Sequence, residues 1–442
     1  MNIVEAYQKK LSISEKVYAK EHGGRALSES KKVAIARVLA NTSEYITEAF
    51  ENSVGTQLSN MKQFKKFCLD LTTVALPSLI ANDLVIVYPL KSRTGFIQYL
   101  QFVAGSNKGG ITANGVDEFG NPVGDVFNDP FKMGAMTDSR VNYTAAAVVE
   151  PVAADATECV LSWTPVAGTV FGVKADGTKV ELTPANGKVT FDAGVYTKVA
   201  YEYDNVRIPQ NDIPQVTARM QGISLEAKAR RVAIYYSQMA AFQAKTEMGI
   251  DLGEILATQA CAELSYEIDT EIVKMLVDNA TAKEDLEWNK RCPHAISKRD
   301  HYAGFAEVIE LGSQHIYDAT QKHAANYMII SSSIKPVLVM MEGWKAANTS
   351  KINGPYFAGE LNGIKVYVSP AIKAGKYVLG YNGGDMITSA AVYAPYMAIV
   401  PTQLLGFADG SMSQGFSTLY DLKMLNKALL VAGEVVDEER AD

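Results

Sequence analysis

Residues 251–279 read DLGEILATQACAELSYEIDTEIVKMLVDN, the longest uninterrupted helical pattern in the chain. Leu252, Leu256, Ala260, Leu264, Ile268, Ile272 and Leu276 recur every fourth residue. Ile255, Tyr266, Val273 and Met275 widen that ridge into a stripe able to pack on two sides. Glu254, Glu263, Glu267, Glu271 and Lys274 fall largely away from it, as a solvated or subunit-facing side would. Asp251 stands at an N-cap position, and Glu254 three residues on completes a capping-box-like start. Gly249 breaks the chain just before the pattern and Asn279 stops it. A helix over this stretch runs about 43 Å at 1.5 Å per residue, long for a globular core. It reads as a strut on which other elements pack.

The chain around the strut has 442 residues, enough for two to four modules. Its apolar share of 48% and charged share of 21% are those of an ordinary soluble globular protein. A net charge of −7 argues against a dedicated nucleic-acid binder, whose surface is basic, but not against a shell that encloses nucleic acid. Cys68, Cys159, Cys261 and Cys292 form no CxxC pair, which suits small apolar thiols in a reducing setting. The start, Met1-Asn2-Ile3-Val4-Glu5, lacks the basic and apolar regions of a signal peptide, and no run approaches the ~18 apolar residues that span a bilayer. A protein made in solution in the cytoplasm is expected.

Upstream, residues 1–60 are polar and helix-prone, with a short amphipathic pattern at Val33, Ile35, Val38 and Leu39. Asn41-Thr42-Ser43-Glu44 resembles a cap between two helices. Such a segment is too polar for a core of its own, so it is either a flexible arm or one lying on another subunit. Residues 64–89 are far more apolar: Pro77 should begin a helical turn, and Leu84–Tyr88 reads as a buried strand. A strand over Phe96–Val103 leads into a Gly/Asn-rich run, 105–124, and the pattern predicts an extended hairpin. Tyr143 to Tyr203 changes character. Six short β-type runs (145–149, 158–163, 170–173, 179–182, 188–191, 198–203) are separated by turn signals, predicting a small sandwich with Trp163, Phe171, Phe191 and Tyr201 inside.

Val216–Ala229 alternates as a strand, with a helix expected from Val232 to Met248. Downstream of the strut, an amphipathic helix over 305–317, a strand at 327–330, a helix over 335–344 and strands at 364–368 and 377–379 predict a mixed α/β module. Residues 417–431 are strand-prone, before a short acidic tail.

Chemistry-bearing patterns are few. The chain contains no P-loop, GxGxxG, HExxH or nucleophile elbow. His315 and His323 could share a helical face, yet lone histidines are usually surface or satisfied residues. Glu263, Glu267 and Glu271 make a carboxylate row that could act as acid and base or hold a cation; a solvated or interface face explains it more simply. The pairs Lys65-Lys66, Arg230-Arg231 and Lys298-Arg299 carry little signal as phosphate contacts. No catalytic site, cofactor or metal site is expected. The inventory is a strut, an arm, a hairpin and an added β module, which suits an assembling subunit.

Several segments, in order and spacing, resemble the major capsid proteins of T-even-like tailed bacteriophages. They are Leu76-Pro77-Ser78-Leu79-Ile80-Ala81-Asn82-Asp83 with Tyr88-Pro89-Leu90 and Thr94-Gly95, and Ala227-Lys228-Ala229-Arg230 with Gly249-Ile250-Asp251. The late ones are Leu361-Asn362-Gly363, Val366-Tyr367-Val368, Gly380-Tyr381 and Tyr393-Ala394-Pro395-Tyr396. The resemblance covers about Phe64–Arg140 and Val206–Thr418. It departs near Leu419, where the family pattern leads one to expect an arginine.

The resemblance implies an α+β, HK97-type capsid fold: an N-terminal arm (1–63), a peripheral-domain approach (64–89), an extended loop (90–140) and an inserted β domain (141–205). The peripheral domain with its spine helix 251–279 would follow (206–300), then an axial domain (301–400) and C-terminal strands with the acidic tail (401–442). It implies a virion protein, not an enzyme, that assembles with itself into hexamers and pentamers. The head, assembled in the host cytoplasm, would enclose double-stranded DNA without reading its sequence, contacting no membrane but meeting portal, scaffold, and decoration or vertex proteins. Assembly contacts would draw on Lys91, Arg93 and Lys108 of the loop, Glu263, Glu267 and Glu271 of the spine, and Tyr393, Pro395 and Tyr396. Ile13-Ser14-Glu15 and Leu27-Ser28-Glu29 fit the family's maturation-cleavage pattern, with cutting after Glu15 or Glu29. An encapsulin-type cargo shell is the alternative within the fold, which the long chain, helical arm and inserted module disfavour. A carbohydrate-binding protein or enzyme using the β module is the alternative outside it.

Overall fold

The computed structural model describes residues 3–51, 58–104, 146–204, 213, 215–249, 252–293, 296–320, 323–347, 354–385, 388–402, 405–407 and 409–437. The hairpin expected over 105–124 lies outside them, as do Lys108 and Asp251, the N-cap expected from sequence. Two compact units emerge: one of residues 1–97, 222–315 and 324–442, the other of 98–221 with 316–323.

The chain is α+β. In the larger unit, α1 (Ile3–Ala6), α2 (Gln8–Glu21), α3 (Glu29–Glu51), α4 (Leu58–Ser78) and α5 (Ala81–Leu84) come first. Helices α6 (Gln238–Glu247), α7 (Leu252–Asn279) and α8 (Lys298–Thr320), the last running on past this unit, and α9 (Lys335–Val339) follow. The expected strut is α7, and its ridge is the buried face: Leu264, Ile268, Ile272, Val273 and Leu276 are in the core. Ile255, placed in the same stripe from sequence, is instead half exposed near the helix start.

Two sheets carry the unit. In the first, β1 (Ile86–Val87), β17 (Ala391–Pro401), β19 (Ser411–Met424) and β10 (Lys228–Ser237) lie in that order, with β18 (Leu405–Gly406) also on β19. The second has seven strands in the order β11 (Thr281–Asn289), β20 (Leu430–Val436), β16 (Lys376–Gly380), β12 (Tyr327–Ile330), β15 (Ile364–Val368), β14 (Tyr356–Leu361), β13 (Trp344–Ala346). All four residues of β12 are buried, as a central strand covered on both faces requires. Between β14 and β15 the chain reverses at Asn362 (φ 49°) and Gly363 (φ 89°), both left-handed, the pairing that a two-residue hairpin turn demands.

Several boundaries differ from the sequence reading, each for a tertiary reason. Helix α3 runs unbroken through Asn41–Glu44, because Asn41 is not a cap: its amide donates to Leu90 O (2.7 Å) and Tyr396 O (2.9 Å). Pro77 sits in the last turn of α4 rather than opening a helix. Of the strand expected over Leu84–Tyr88, Ile86–Val87 pairs in parallel with β17, Leu84 belongs to α5, and the Tyr88 N–H still bonds to Tyr393 O (2.9 Å). The strand after Val216 does not become helix at Val232 but continues to Ser237, since β10 pairs with β19 over ten residues without a register shift. β11 went unread; its charged residues mask an alternation that buries Leu286 and Trp288. The helix expected over 335–344 ends at Val339, and Trp344 begins β13.

The N-terminal segment is also not a coreless arm. Leu11, Tyr18, Leu27, Ile35 and Leu39 join Ile268, Leu276, Tyr327 and Tyr367 in one apolar cluster of this chain.

In the smaller unit the β module has the six expected strands: β3 (Ala147–Pro151), β4 (Glu158–Val160), β5 (Phe171–Val173), β6 (Lys179–Glu181), β7 (Lys188–Thr190) and β8 (Lys198–Glu202). They form a four-stranded sheet, β3-β8-β5-β6, and a pair, β4-β7. Val148, Val170, Val189, Val199, Tyr201 and Tyr203 make the centre, while Trp163 and Phe191 are only partly buried against it. Between the β module and the long helix, β9 (Val216–Glu226) pairs with β2 (Thr94–Ala104).

Candidate functional site

The run Leu76–Asp83 that resembles the capsid family lies at a polar junction of the larger unit. Pro77 stands in the last turn of α4, which ends at Ser78, and a two-residue turn, Leu79–Ile80, leads into the four-residue helix α5. That turn places Asp83 with its side chain only 3% exposed. Five side chains converge on it. Tyr18 Oη donates to Oδ1 (2.7 Å), as does Lys31 Nζ at 3.4 Å. Oδ2 accepts from His22 Nδ1 (2.7 Å), Tyr367 Oη (2.9 Å) and Arg25 Nη1 (3.2 Å). The donors come from α2, the α2–α3 connection, α3 and β15, so a single carboxylate joins three regions far apart in sequence.

The periphery is satisfied too. His22 Nε2 lies 3.0 Å from Pro77 O, a pure acceptor, so hydrogen bonding both ring nitrogens requires a proton on each. Tyr18 stacks on the ring at 4.2 Å between centroids, and Arg25 covers the Phe357 ring at 4.3 Å. Burial by itself would push the Asp83 carboxyl up. The hydrogen bond and charge of His22, with Arg25 and Lys31, outweigh that and hold it well below the usual carboxylate range. Burial and the neighbouring Asp83 raise the Tyr18 phenol; burial lowers the Lys31 ammonium, with Asp83 opposing.

The other flank of α5 is held by the spine. Asp269, on the buried side of α7, accepts from Ile80 N at 3.0 Å and so caps the short helix. Burial raises its carboxyl well above the usual range, with the backbone N–H groups of Ile80 and Ala81 opposing. It borders a cleft of about 220 Å³ also lined by Leu71, Cys261, Tyr266 and Phe357. A third junction ties the spine to the first sheet. Arg230 of β10 donates to both Glu271 oxygens (2.6 and 2.8 Å) and lies 3.8 Å over the Tyr420 ring, whose hydroxyl donates to Glu271. Across this strand pair Ala229 faces Leu419 and Arg230 faces Thr418. Leu419, where an arginine was expected, packs with Leu90, Leu225 and Val392; the guanidinium of this ladder comes from β10.

These arrangements tie segments distant in sequence to one another. Burial pushes the Cys68 and Cys261 thiols up to about 12, far from a reactive thiolate. Among the described residues no three His, Cys, Asp or Glu side chains could hold a metal ion, and no helix is long and apolar enough to cross a membrane.

The residues singled out from sequence fall in different settings. Lys91, Arg93, Glu263 and Glu267 are exposed; Glu271, in the same row, is instead half-buried in the Arg230 junction. Tyr393 and Pro395 are buried in β17, Tyr393 against Tyr420, and Tyr396 is half-buried. Glu15 pairs with Lys32 (2.8 Å), and Glu29 is exposed at the start of α3. His22 and Asp83 were not singled out, and 61 residues separate them. Asp269 was not either, although a carboxylate between Ile268 and Ile272 on an apolar face is a readable signal.

Comparison with known proteins places the chain. The family described as Major capsid protein Gp23 matches residues 61–440. The major capsid protein of Enterobacteria phage T4 is 22% identical over 386 residues, covering 79% of this chain and 73% of that protein. That of Vibrio phage KVP40 is 23% identical over 389 residues, covering 79% and 74%. Among solved structures, the capsid of Myoviridae phage XM1 aligns with a TM-score of 0.35 at 9% identity, over 70% of this chain and 92% of that one. A virus-like particle from Pyrococcus furiosus aligns at 0.30 and 12%, over 62% and 90%.

Proposed function

The chain belongs to the Major capsid protein Gp23 family and builds the capsid lattice of a tailed phage, and on that premise we propose how its parts serve assembly. The shell is made of hexamers, with pentamers at the vertices, and encloses double-stranded DNA without sequence-specific contacts. Assembly takes place in the host cytoplasm, with portal, scaffold, and decoration or vertex proteins as partners and no enzymatic step by this chain. The domain division follows the resemblance: arm 1–63, approach 64–89, loop 90–140, inserted β domain 141–205, peripheral domain 206–300, axial domain 301–400, C-terminal strands 401–442. Strands 281–289 and 430–436 complete the sheet that the axial segment builds.

The loop extends across a neighbouring subunit, adding strand pairing and apolar area beyond one standard interface. Head-to-tail contacts of this kind close into rings. Lys91, Arg93, Lys108, Glu263 and Glu267 meet neighbours; Tyr393, Pro395 and Tyr396, with Glu271, position the sheet from which such contacts project. Of the two cleavage positions, Glu29 would detach Tyr18, His22 and Arg25 from Asp83, leaving Lys31 and Tyr367, whereas Glu15 would leave the junction whole.

The observation that supports this reading best is the Asp83 junction, which welds arm, approach and second sheet into one rigid building block without presenting a reactive group. Negative-stain microscopy and sedimentation of the purified full chain test it, alone and with scaffold. Capsomers, tubes or shells are expected; a monodisperse monomer under all conditions would refute it.

A further inference from the structure

Strand β10 and helix α6 make an unusual surface. The strand is terminal in its sheet: β19 pairs with one edge, and among the described residues no strand pairs with the other. That open edge is ten residues long, with neither proline nor bulge to blunt it. Most of its side chains are exposed on both faces, Tyr235 at 68%. The chain then enters α6, which buries no residue at all and leaves Phe242 66% exposed, with Met239 and Met248 similarly open. A ten-residue helix that buries no side chain is marginal in water. An edge and a helix of this kind need a cover.

Charge indicates what covers them. Residues 228–247 carry four basic side chains, of which Arg230 is engaged by Glu271, and one acidic, whereas 281–289 carry three acidic, of which Asp285 meets His315, and one basic. The second group is β11, the terminal strand of the other sheet, with Glu284 and Glu287 exposed. One molecule therefore ends in a basic edge and in an acidic edge, two different and complementary surfaces, which is what a head-to-tail contact between identical copies requires.

We propose that the β10–α6 face is the docking surface for a second copy of this chain, whose acidic β11 edge lies against it, with Tyr235, Met239 and Phe242 covered at the centre. The proposal rests on the capsid reading and names the surface that reading leaves open. Phe242→Lys, on a side chain that touches little within the monomer, should keep the melting temperature and lower particle yield at least tenfold. Arg231→Glu should lower yield too, and Arg231→Glu with Glu287→Arg should restore it. In wild-type particles, peroxide should oxidise Met239 and Met248 at least fivefold more slowly than in free subunits. Wild-type particles with unchanged yield for Phe242→Lys, or with both methionines unprotected, overturn the surface while the capsid reading stands. Phe242→Lys blocking assembly without rescue by the double charge reversal overturns the β11 assignment. Should the wild-type chain form no particles, the capsid reading itself falls and this surface with it.

Discussion

Asp83 lies in the four-residue helix α5 and Asp269 binds the start of that helix; both side chains are buried, and the structure drives them in opposite directions. Asp83 receives Arg25, Lys31, His22 and two phenols, and its carboxyl is held down. Asp269 receives backbone N–H groups, and burial pushes its carboxyl up. Burial of a carboxylate thus says little about its charge; the partners decide. The first is an anchor between distant parts, the second a cap on a short helix.

The sharpest test adds a third buried carboxyl with neither kind of partner. Ile268 is 3% exposed beside Asp269, and Ile268→Asp should leave no soluble folded chain, a loss above about 4 kcal/mol. Soluble, cooperatively melting protein from this variant would mean that the ridge tolerates charge. Next in size, Asp83→Asn strands His22, Arg25 and Lys31 and should cost about 3–5 kcal/mol in urea unfolding at pH 7. Because its folded carboxyl titrates below the ordinary value, the stability from Asp83 is fully present above about pH 4 and lost as pH falls further. The variant should therefore flatten the acid limb of the stability profile; an unchanged limb would contradict the anchor.

Smallest is Asp269→Asn, expected within about 1 kcal/mol of wild type at about pH 4, below the raised value of Asp269, since an amide oxygen still accepts from Ile80 N. Here the pH dependence has the other sign. Wild type loses stability as pH rises from about 4 through the raised value of Asp269, and the variant should lack that slope. A cost near that of Asp83→Asn would show Asp269 to be ionised and erase the contrast.

Local pattern was readable where one face meets one core. The ridge from Leu264 to Leu276 and the six strands of the β module stand within a few residues of where periodicity puts them. The failures share a cause. Asn41 looks like a cap, yet its amide is claimed by carbonyls 49 and 355 residues away. Val232 to Ser237 has helix-like neighbours, yet β19 offers a complete ladder that an isolated short helix cannot match. In the carboxylate row, Glu263 and Glu267 stay in solvent while Glu271 turns to Arg230, a difference set by what lies opposite and not by spacing.

By itself the sequence determined the long amphipathic helix, the β module, the α+β class and, through the order of its motifs, the capsid family. Each is written in contacts a few residues apart or in a linear order of segments. Tertiary structure alone decided that Asp83 meets His22, Arg25, Lys31 and Tyr367, that Asp269 caps α5, and that β10 and β11 end their sheets as oppositely charged edges. Those depend on which distant segments share a low-dielectric interior, where the energy of a charge is set by neighbours that no local spacing records.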